Sequence, residues 1–400
     1  MARITFQRLE DHSTLFWGLL GLHALIVALG LGAAYYMEHH GHVVTGMNNA
    51  VVWGMPHVFA VFLIVSASGA LNVASISSVF NKLAYKPFAR LSGILAIALL
   101  VGGLIVLVLD LGRPDRLTVA MTTYNFKSIF AWNIYLYIGF IAIVGVYLFT
   151  MMDRGVSQTP TATRTVGWLA FGWRLALTTG TGSIFGWLVA RPGYDAAIMA
   201  PMFIIMSFSF GLAVFILVLM TLFRLNDRPI GDELLMRLGR LLGVFAAAVL
   251  YFALVFHLSN LYAAEHGSYE HFILVSGGIY PLLFWGVQVV LGGLVPIALV
   301  FLNPSRSSTL LASILVVIGG FAQVYVIVIG GQAFPLNIFP GYEVIEGFHE
   351  GVVNPYTPSI WELMLGLGGV ALALFAAGLG AKILRVLPTN LSDANLAAKG

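Results

Sequence analysis

Residues Arg90–Leu111 read RLSGILAIALLVGGLIVLVLDL, and the nineteen positions between Arg90 and Asp110 carry no charge. As a helix, a run of that length rises roughly 28 Å at 1.5 Å per residue, close to the hydrocarbon thickness of a bilayer, about 30 Å. Runs of the same kind flank it on both sides. Before it lie Leu15–Tyr36 and Val52–Val79, and after it Ser128–Thr150, Val166–Ala190, Met199–Phe223, Gly239–Ala263, Phe272–Leu302, Leu310–Gly330 and Trp361–Leu387. With 59% apolar and 9% charged residues and a mean hydropathy of +0.93, the chain cannot present a water-soluble surface. A membrane β-barrel would instead show short alternating strands. The fold class is therefore an all-α integral membrane protein with about ten transmembrane helices.

Ten spans put both termini on one side of the membrane. With the N-terminus inside, fifteen Lys and Arg fall on the inner side: Arg3, Arg8, Lys82, Lys86, Arg90, Arg154, Arg164, Arg224, Arg228, Arg237, Arg240, Arg306, Lys382, Arg385 and Lys399. Only Arg113, Arg116, Lys127 and Arg191 fall outside, and Arg174 stays within a helix. Cytoplasmic loops retain positive charge, so both termini are expected in the cytoplasm of a multi-pass protein of the bacterial inner membrane. Met1–His12 is polar and of mixed charge, and the apolar run from Leu15 outlasts a signal core, so it is expected to persist as the first helix. The chain has no cysteine, which excludes thiolate-held iron–sulfur clusters, c-type haem attachment and disulfides from its own chemistry. Any such centre belongs to a partner. The formal charge of +3 follows membrane topology, and no nucleic-acid binding is expected.

Eight central helices flanked by one at each end suggest two four-helix units, divided at the loop Arg224–Arg240 if they are sequential halves or at the turn Arg191–Ile198 if the first spans helices two to five, and the second division fits the loop lengths better. The expected organisation is residues 1–51 (first helix and outer loop), 52–190 (first four-helix bundle, helices two to five), 191–330 (second bundle, helices six to nine) and 331–400 (outer loop, helix ten and cytoplasmic tail). The outer segments include Glu38-His39-His40-Gly41-His42 and the stretch 331–360, which carries Glu343, Glu346, His349 and Glu350. A long loop rich in Gly, Pro and aromatics suits docking of another protein or a lid over its own helices.

Ionisable and amide groups in hydrocarbon cost several kcal/mol unless paired or hydrated, roughly 2–7 by transfer measurements, so each is a functional candidate. His57, in Trp53-Gly54-Met55-Pro56-His57, lies about one turn below the outer end of its helix. Asp110 lies at matching depth on the next helix, and Trp132 and Asn133 about one turn into the fourth. A carboxylate, an imidazole and indole or amide donors at one rim suit a small polar headgroup that exchanges protons, such as a quinone. The alternative is that Asp110 pairs with Arg113 and caps its helix. Arg174, with Thr178 on the same hydroxyl-rich helix, is a candidate inward proton path, while the small residues there equally permit close packing. His257, Asn260, Tyr262, Tyr280, Gln288, Gln323 and Tyr325 are polar candidates in the second half. A b-type haem between His57 and His257 would need their helices to face each other; interhelical hydrogen bonding is the commoner role, so no b-type haem is expected.

The segment Leu109-Asp110-Leu111-Gly112-Arg113-Pro114-Asp115-Arg116, followed by Tyr124-Asn125-Phe126-Lys127-Ser128, resembles the hallmark of the NrfD/PsrC family of polysulfide-reductase membrane subunits. Trp53-Gly54 opening the second helix and Pro358–Glu362 opening the tenth extend the resemblance, which is strongest to the branch serving dissimilatory sulfur metabolism. Residues 125–133 (NFKSIFAWN) and 35–49 (YYMEHHGHVVTGMNN) carry that closer likeness. Trp53, Asp110, Arg113, Asn125 and Ser128 match the shared pattern; Trp132 departs from many relatives, and His57 rests on depth and chemistry alone. The resemblance implies a quinone pocket, for menaquinone or ubiquinone, in the first bundle near the outer face. It also implies a periplasmic ferredoxin-like iron–sulfur subunit, a multihaem cytochrome c, a b-type cytochrome membrane subunit and a cytoplasmic iron–sulfur subunit as partners. The expected function is quinone/quinol redox exchange with a periplasmic partner, catalytic only with partner subunits, with His57 and Asp110 handling protons, Trp53, Arg113, Trp132 and Asn133 completing the headgroup site, and Arg174 and Thr178 leading protons inward. A secondary transporter using Gln288 and Gln323, or a redox-inactive anchor, are the rival readings.

Overall fold

Apolar runs this long leave the backbone one way to satisfy its polar groups in lipid, which is within helices, and the computed structural model is built accordingly. It describes residues 5–9, 14–80, 82–153, 160–336 and 351–392. Arg3, Arg154, Lys399 and the loop residues Glu343, Glu346, His349 and Glu350 lie outside the described residues. In chain order the elements are β1 (Phe6–Gln7), α1 (Thr14–His40), α2 (Met55–Ser78), α3 (Ala89–Leu109), the short α4 (Leu117–Thr122), α5 (Ile129–Met152) and α6 (Pro160–Gly186). There follow α7 (Met199–Leu225), α8 (Asp232–Tyr262), the short α9 (Gly267–His271), α10 (Ile279–Leu302), α11 (Arg306–Ala333), α12 (Ile360–Ile383) and β2 (Leu387–Pro388). Among the described residues, nine helices are long and apolar enough to cross a membrane. The tenth long helix, α6, falls short in apolarity because Arg174 and a run of Thr and Gly interrupt it. The protein is an all-α, multi-pass integral membrane protein.

Helix ends follow local chemistry. Pro56 occupies the first turn of α2, where its missing N–H costs nothing. Ser128 caps α5 by accepting from the Ala131 N–H, and Ser305 caps α11 by accepting from the Ser308 N–H. Helices α2, α3, α5 and α6 pack around one another, as do α7, α8, α10 and α11, and the two groups meet where α2 lies against α7. That seam is close enough to demand glycine: a Cβ on Gly69 would fall 1.5 Å from the Ser207 carbonyl oxygen, and one on Gly211 2.2 Å from the Ala70 nitrogen. Helix α12 packs on α1, α3 and α2.

β1 pairs antiparallel with β2, and Ile230 in the α7–α8 turn bridges Leu391, so both termini and this turn share one end of the molecule. The opposite, distal end holds the candidate site. One expected span is corrected. The helix expected from Phe272 starts at Ile279, because the backbone breaks at Gly277-Gly278, where Gly278 takes φ +63°. The preceding Phe272–Ser276 is a separate π-helical turn, and π-helical geometry recurs in Leu282–Leu294 of α10 and Val326–Gly330 of α11.

Candidate functional site

The site is built on the segment that leads into α2. Buried Glu362, in the first turn of α12, accepts the Gly46 N–H (2.8 Å) and the Ser359 N–H (2.7 Å) through one oxygen and the Tyr356 hydroxyl (2.6 Å) through the other. The Tyr356 oxygen in turn accepts the Met55 N–H at 2.6 Å, at the start of α2. Burial, and then the Glu362 carboxylate that takes its hydrogen bond, push the Tyr356 phenol well above its ordinary range, so it remains a donor. Gln332 grips the other side of the segment: its oxygen accepts from the Val52 and Trp53 N–H groups, each at 2.9 Å, and its nitrogen donates to the Trp53 carbonyl at 3.0 Å. Arg191 donates to the Gln332 carbonyl (2.9 Å) and the Ala50 carbonyl (2.7 Å), closing the clamp.

Held this way, Trp53 and His57 meet Asp110 at the distal rim. Asp110 is the C-cap of α3; its backbone N–H bonds to Val106, so its side chain is free to point into the bundle. Its carboxylate is fully buried, with Oδ2 2.9 Å from His57 Nδ1 and Oδ1 3.8 Å from His42 Nε2. His42 Nε2 donates instead to the Asp110 carbonyl at 3.1 Å. The His57 contact has ion-pair distance but is out of line for a hydrogen bond, so His57 Nδ1 and both Asp110 oxygens are buried polar atoms without a well-formed partner. Burial, the largest influence on Asp110, raises its carboxyl pKa, but His42 and His57 together outweigh it and hold the group below its ordinary value. Contact with Asp110 raises the His42 imidazole by more than burial lowers it. The Trp53 ring lies 6.2 Å from the His57 ring, near parallel, with Phe130, Phe185 and Tyr194 around it. His57 and Trp53 are half-buried, so the rim is reachable from its side.

The other expected residues sit elsewhere. Arg113 is exposed and forms a two-pronged ion pair with Asp115, not with Asp110. Trp132 faces outward, its indole N–H donating to the Phe126 carbonyl at 2.9 Å within an aromatic cluster of Tyr124 and Phe126. Asn133 is buried and ties α5 to α6 through the Gly180 carbonyl at 3.1 Å. Arg174 is sealed inside the first bundle, donating to Asn72 Oδ1 at 2.8 Å between the rings of Phe171 and Phe208, and Thr178 donates to the Arg174 carbonyl at 2.8 Å. His257 turns to Glu270 in the second bundle, so each of the two imidazoles has a carboxylate of its own.

His42, Glu362, Tyr356 and Gln332 are the residues that sequence reasoning did not assign. Ser359-x-x-Glu362 is a capping-box pattern that marks the start of α12, but nothing in it foretells that the same carboxylate reaches Gly46. His42 stands in a conspicuous His-rich loop whose return onto α3 is a matter of tertiary structure.

The distal rim thus brings an imidazole–carboxylate pair and an indole ring together at the end of a bundle of membrane helices. Residues 43–336 match the family described as Polysulphide reductase, NrfD, and the chain belongs to this family. It is similar to the Hdr-like menaquinol oxidoreductase integral membrane subunit of Archaeoglobus fulgidus, 30% identical over 393 residues that span 96% of this chain and 97% of the relative. It is also similar to a putative membrane subunit of dimethyl sulfoxide reductase, the C chain, from Halobacterium salinarum, 30% identical over 436 residues (98% and 96%). The C chain of selenate reductase from Mesobacillus selenatarsenatis is 22% identical over 393 residues (88% and 91%).

Proposed function

We propose that this protein is the quinone/quinol-interacting membrane subunit of a respiratory-type oxidoreductase complex, with the headgroup bound at the distal rim of the first bundle. The observation that carries this reading is the convergence there of His57 Nδ1 and both Asp110 oxygens, buried and without a well-formed hydrogen bond, since buried polar atoms in folded proteins are almost always satisfied. The relatives' names, a menaquinol oxidoreductase subunit among them, support the same class. When bound, a quinone supplies the two-electron, two-proton couple, and the protein supplies binding, orientation and proton handling.

Asp110, held ionised by two imidazoles, is the proton acceptor, and His57 passes protons between the headgroup face and Asp110. Trp53 offers a flat ring for stacking. His42 sits behind Asp110 and links it to the distal surface. Direct contact belongs to Trp53, His57 and Asp110; Arg113, Trp132 and Asn133 act through the loop and helix that they anchor. The inward proton path runs past Arg174, Thr178 and Asn72.

The orientation is N-in and C-in, following the Lys and Arg distribution, with the distal rim on the outer, periplasmic-type face of a cytoplasmic membrane. The finer identity we infer is DsrP, the membrane quinone subunit of the DsrMKJOP complex of dissimilatory sulfur metabolism, with residues 52–190 as the quinone-binding domain and 191–330 as the second bundle. Its partners are then a ferredoxin-like iron–sulfur subunit, a multihaem cytochrome c, a b-type cytochrome and a cytoplasmic iron–sulfur subunit. The cavities beside Gln288 and Gln323, where the transporter reading places its substrate, each have room for about one water. Extraction of the protein with its co-purifying partners tests the proposal: bound quinone and iron–sulfur or haem subunits are expected, and a preparation that lacks both and takes up no added quinone contradicts it.

A further inference from the structure

The second bundle contains a buried ionisable group that the quinone reading does not use. Glu270, on α9, is fully buried. Its Oε2 lies 2.6 Å from His257 Nδ1 and its Oε1 accepts from Asn260 Nδ2 at 2.8 Å, both on the last two turns of α8. The pair lies at the distal end, as His57 and Asp110 do, but in the other bundle. Its ionisable surroundings are Tyr269, Tyr194 and Tyr280, with Arg191 beside Tyr194 and His266 held between the Pro192 carbonyl and Glu265.

From His257 a small cavity leads inward to Gln288 and Gln323, and a second one, which shares those two glutamines, continues to Ser209. Gln288 on α10 and Gln323 on α11 are both buried, and both line the two cavities. Each lies about ten residues from the distal end of its helix, roughly 15 Å in at 1.5 Å per residue, which is mid-membrane. Buried amides that line a cavity are positioned to bind water there, and each cavity has room for about one. The backbone around them is distorted to match: Gln288 is inside the π-helical stretch Leu282–Leu294, and Val326 and Ile327, in another, line the first cavity. In a membrane, such widened helices are tolerated where they face a hydrated space.

We infer that the second bundle holds a proton site of its own: Glu270 and His257 share an exchangeable proton, which water bound to Gln288 and Gln323 connects to the middle of the membrane. The ligand class is water and the proton, and in each transfer the proton leaves one of the two side chains as the other, or the adjacent water, accepts it. The site is independent of quinone binding, which belongs to the first bundle.

The test uses difference infrared spectroscopy of the purified full chain during pH jumps, with quinone-analogue binding measured on the same samples. Expected is a carboxyl and imidazole protonation signal in wild type that is absent from Glu270→Gln. In Gln288→Leu and Gln323→Leu the signal should persist but relax about tenfold more slowly, the consequence of losing roughly one hydrogen bond's free energy from the path. Analogue binding should be unchanged throughout. If Glu270→Gln does not fold, the two Leu variants carry the test alone. A Glu270–His257 pair that gives no pH-dependent signal in folded wild type, or Leu variants that relax at the wild-type rate, would overturn the inference whether or not the analogue binds.

Discussion

Replacing Glu362 measures how far the site depends on a residue that touches none of its chemistry. In Glu362→Ala, three hydrogen bonds to a buried carboxylate disappear: those from Gly46, Ser359 and Tyr356. Bonds to charged groups contribute about 1.5–3 kcal/mol each. Water entering the void recovers part of this, which leaves a loss of about 3–5 kcal/mol, the range seen when a buried network is broken. Glu362→Gln has a different outcome. Its amide oxygen can still accept both backbone N–H groups, and only the Tyr356 contact must reverse, with the phenol oxygen accepting from the new amide as well as from Met55. That costs about 1–2 kcal/mol. Thermal unfolding in detergent should therefore rank wild type, Gln and Ala in that order, with the Ala loss about two- to threefold larger on the same bond energies. Amide exchange at Gly46 and Met55 should rise in the Ala variant, and quinone-analogue affinity should fall with it. Equal melting of the Gln and Ala variants, or an Ala variant that melts like wild type, would refute the clamp.

Asp110 and His42 predict a stability window. A depressed carboxyl contributes stability above its ordinary value of 3.8 that is lost as pH falls through the folded value, and a raised imidazole contributes below 6.5 and loses it as pH rises through its own. The difference in melting between wild type and Asp110→Asn should thus be greatest between pH 3.8 and 6.5 and shrink on both sides. Gly69→Ala should abolish monodisperse protein on gel filtration, because its Cβ meets the Ser207 carbonyl at 1.5 Å and the two helices must separate; overpacking of this kind costs about 1–3 kcal/mol or more. Arg174→Met relieves a buried charge but leaves Asn72 Oδ1 without its donor, so it should melt within about 1–3 kcal/mol of wild type, while proton uptake during quinol turnover in proteoliposomes slows. A strongly destabilised Arg174→Met would make the arginine structural.

The sequence made the membrane class and most spans legible because hydrocarbon imposes a length and an apolarity that any helix crossing it must meet. It misplaced the start of α10, where Gly277-Gly278 breaks an apolar run whose composition gives no warning. At the site, depth along each helix brought His57 and Asp110 to one level, but depth cannot say which way a side chain points. Trp132 and Asn133 share that level, yet one faces outward and the other faces α6. Arg113 stands three residues from Asp110 and pairs with Asp115, a choice set by the local turn. His42, Gln332 and Glu362 reach the site across 68, 279 and 316 residues of chain, and contacts of that separation leave no periodic trace.

The central claim is that the His57–Asp110 rim binds a quinone headgroup. Its most direct test is the affinity of a quinone analogue for the purified complex, compared between wild type and Asp110→Asn, which keeps the shape of the carboxylate but not its charge. Binding in wild type that weakens by at least about tenfold in the variant, the loss of one charge-assisted hydrogen bond, is the predicted result. Equal affinity in the two proteins, with the analogue cross-linking to residues outside the rim, would contradict the account.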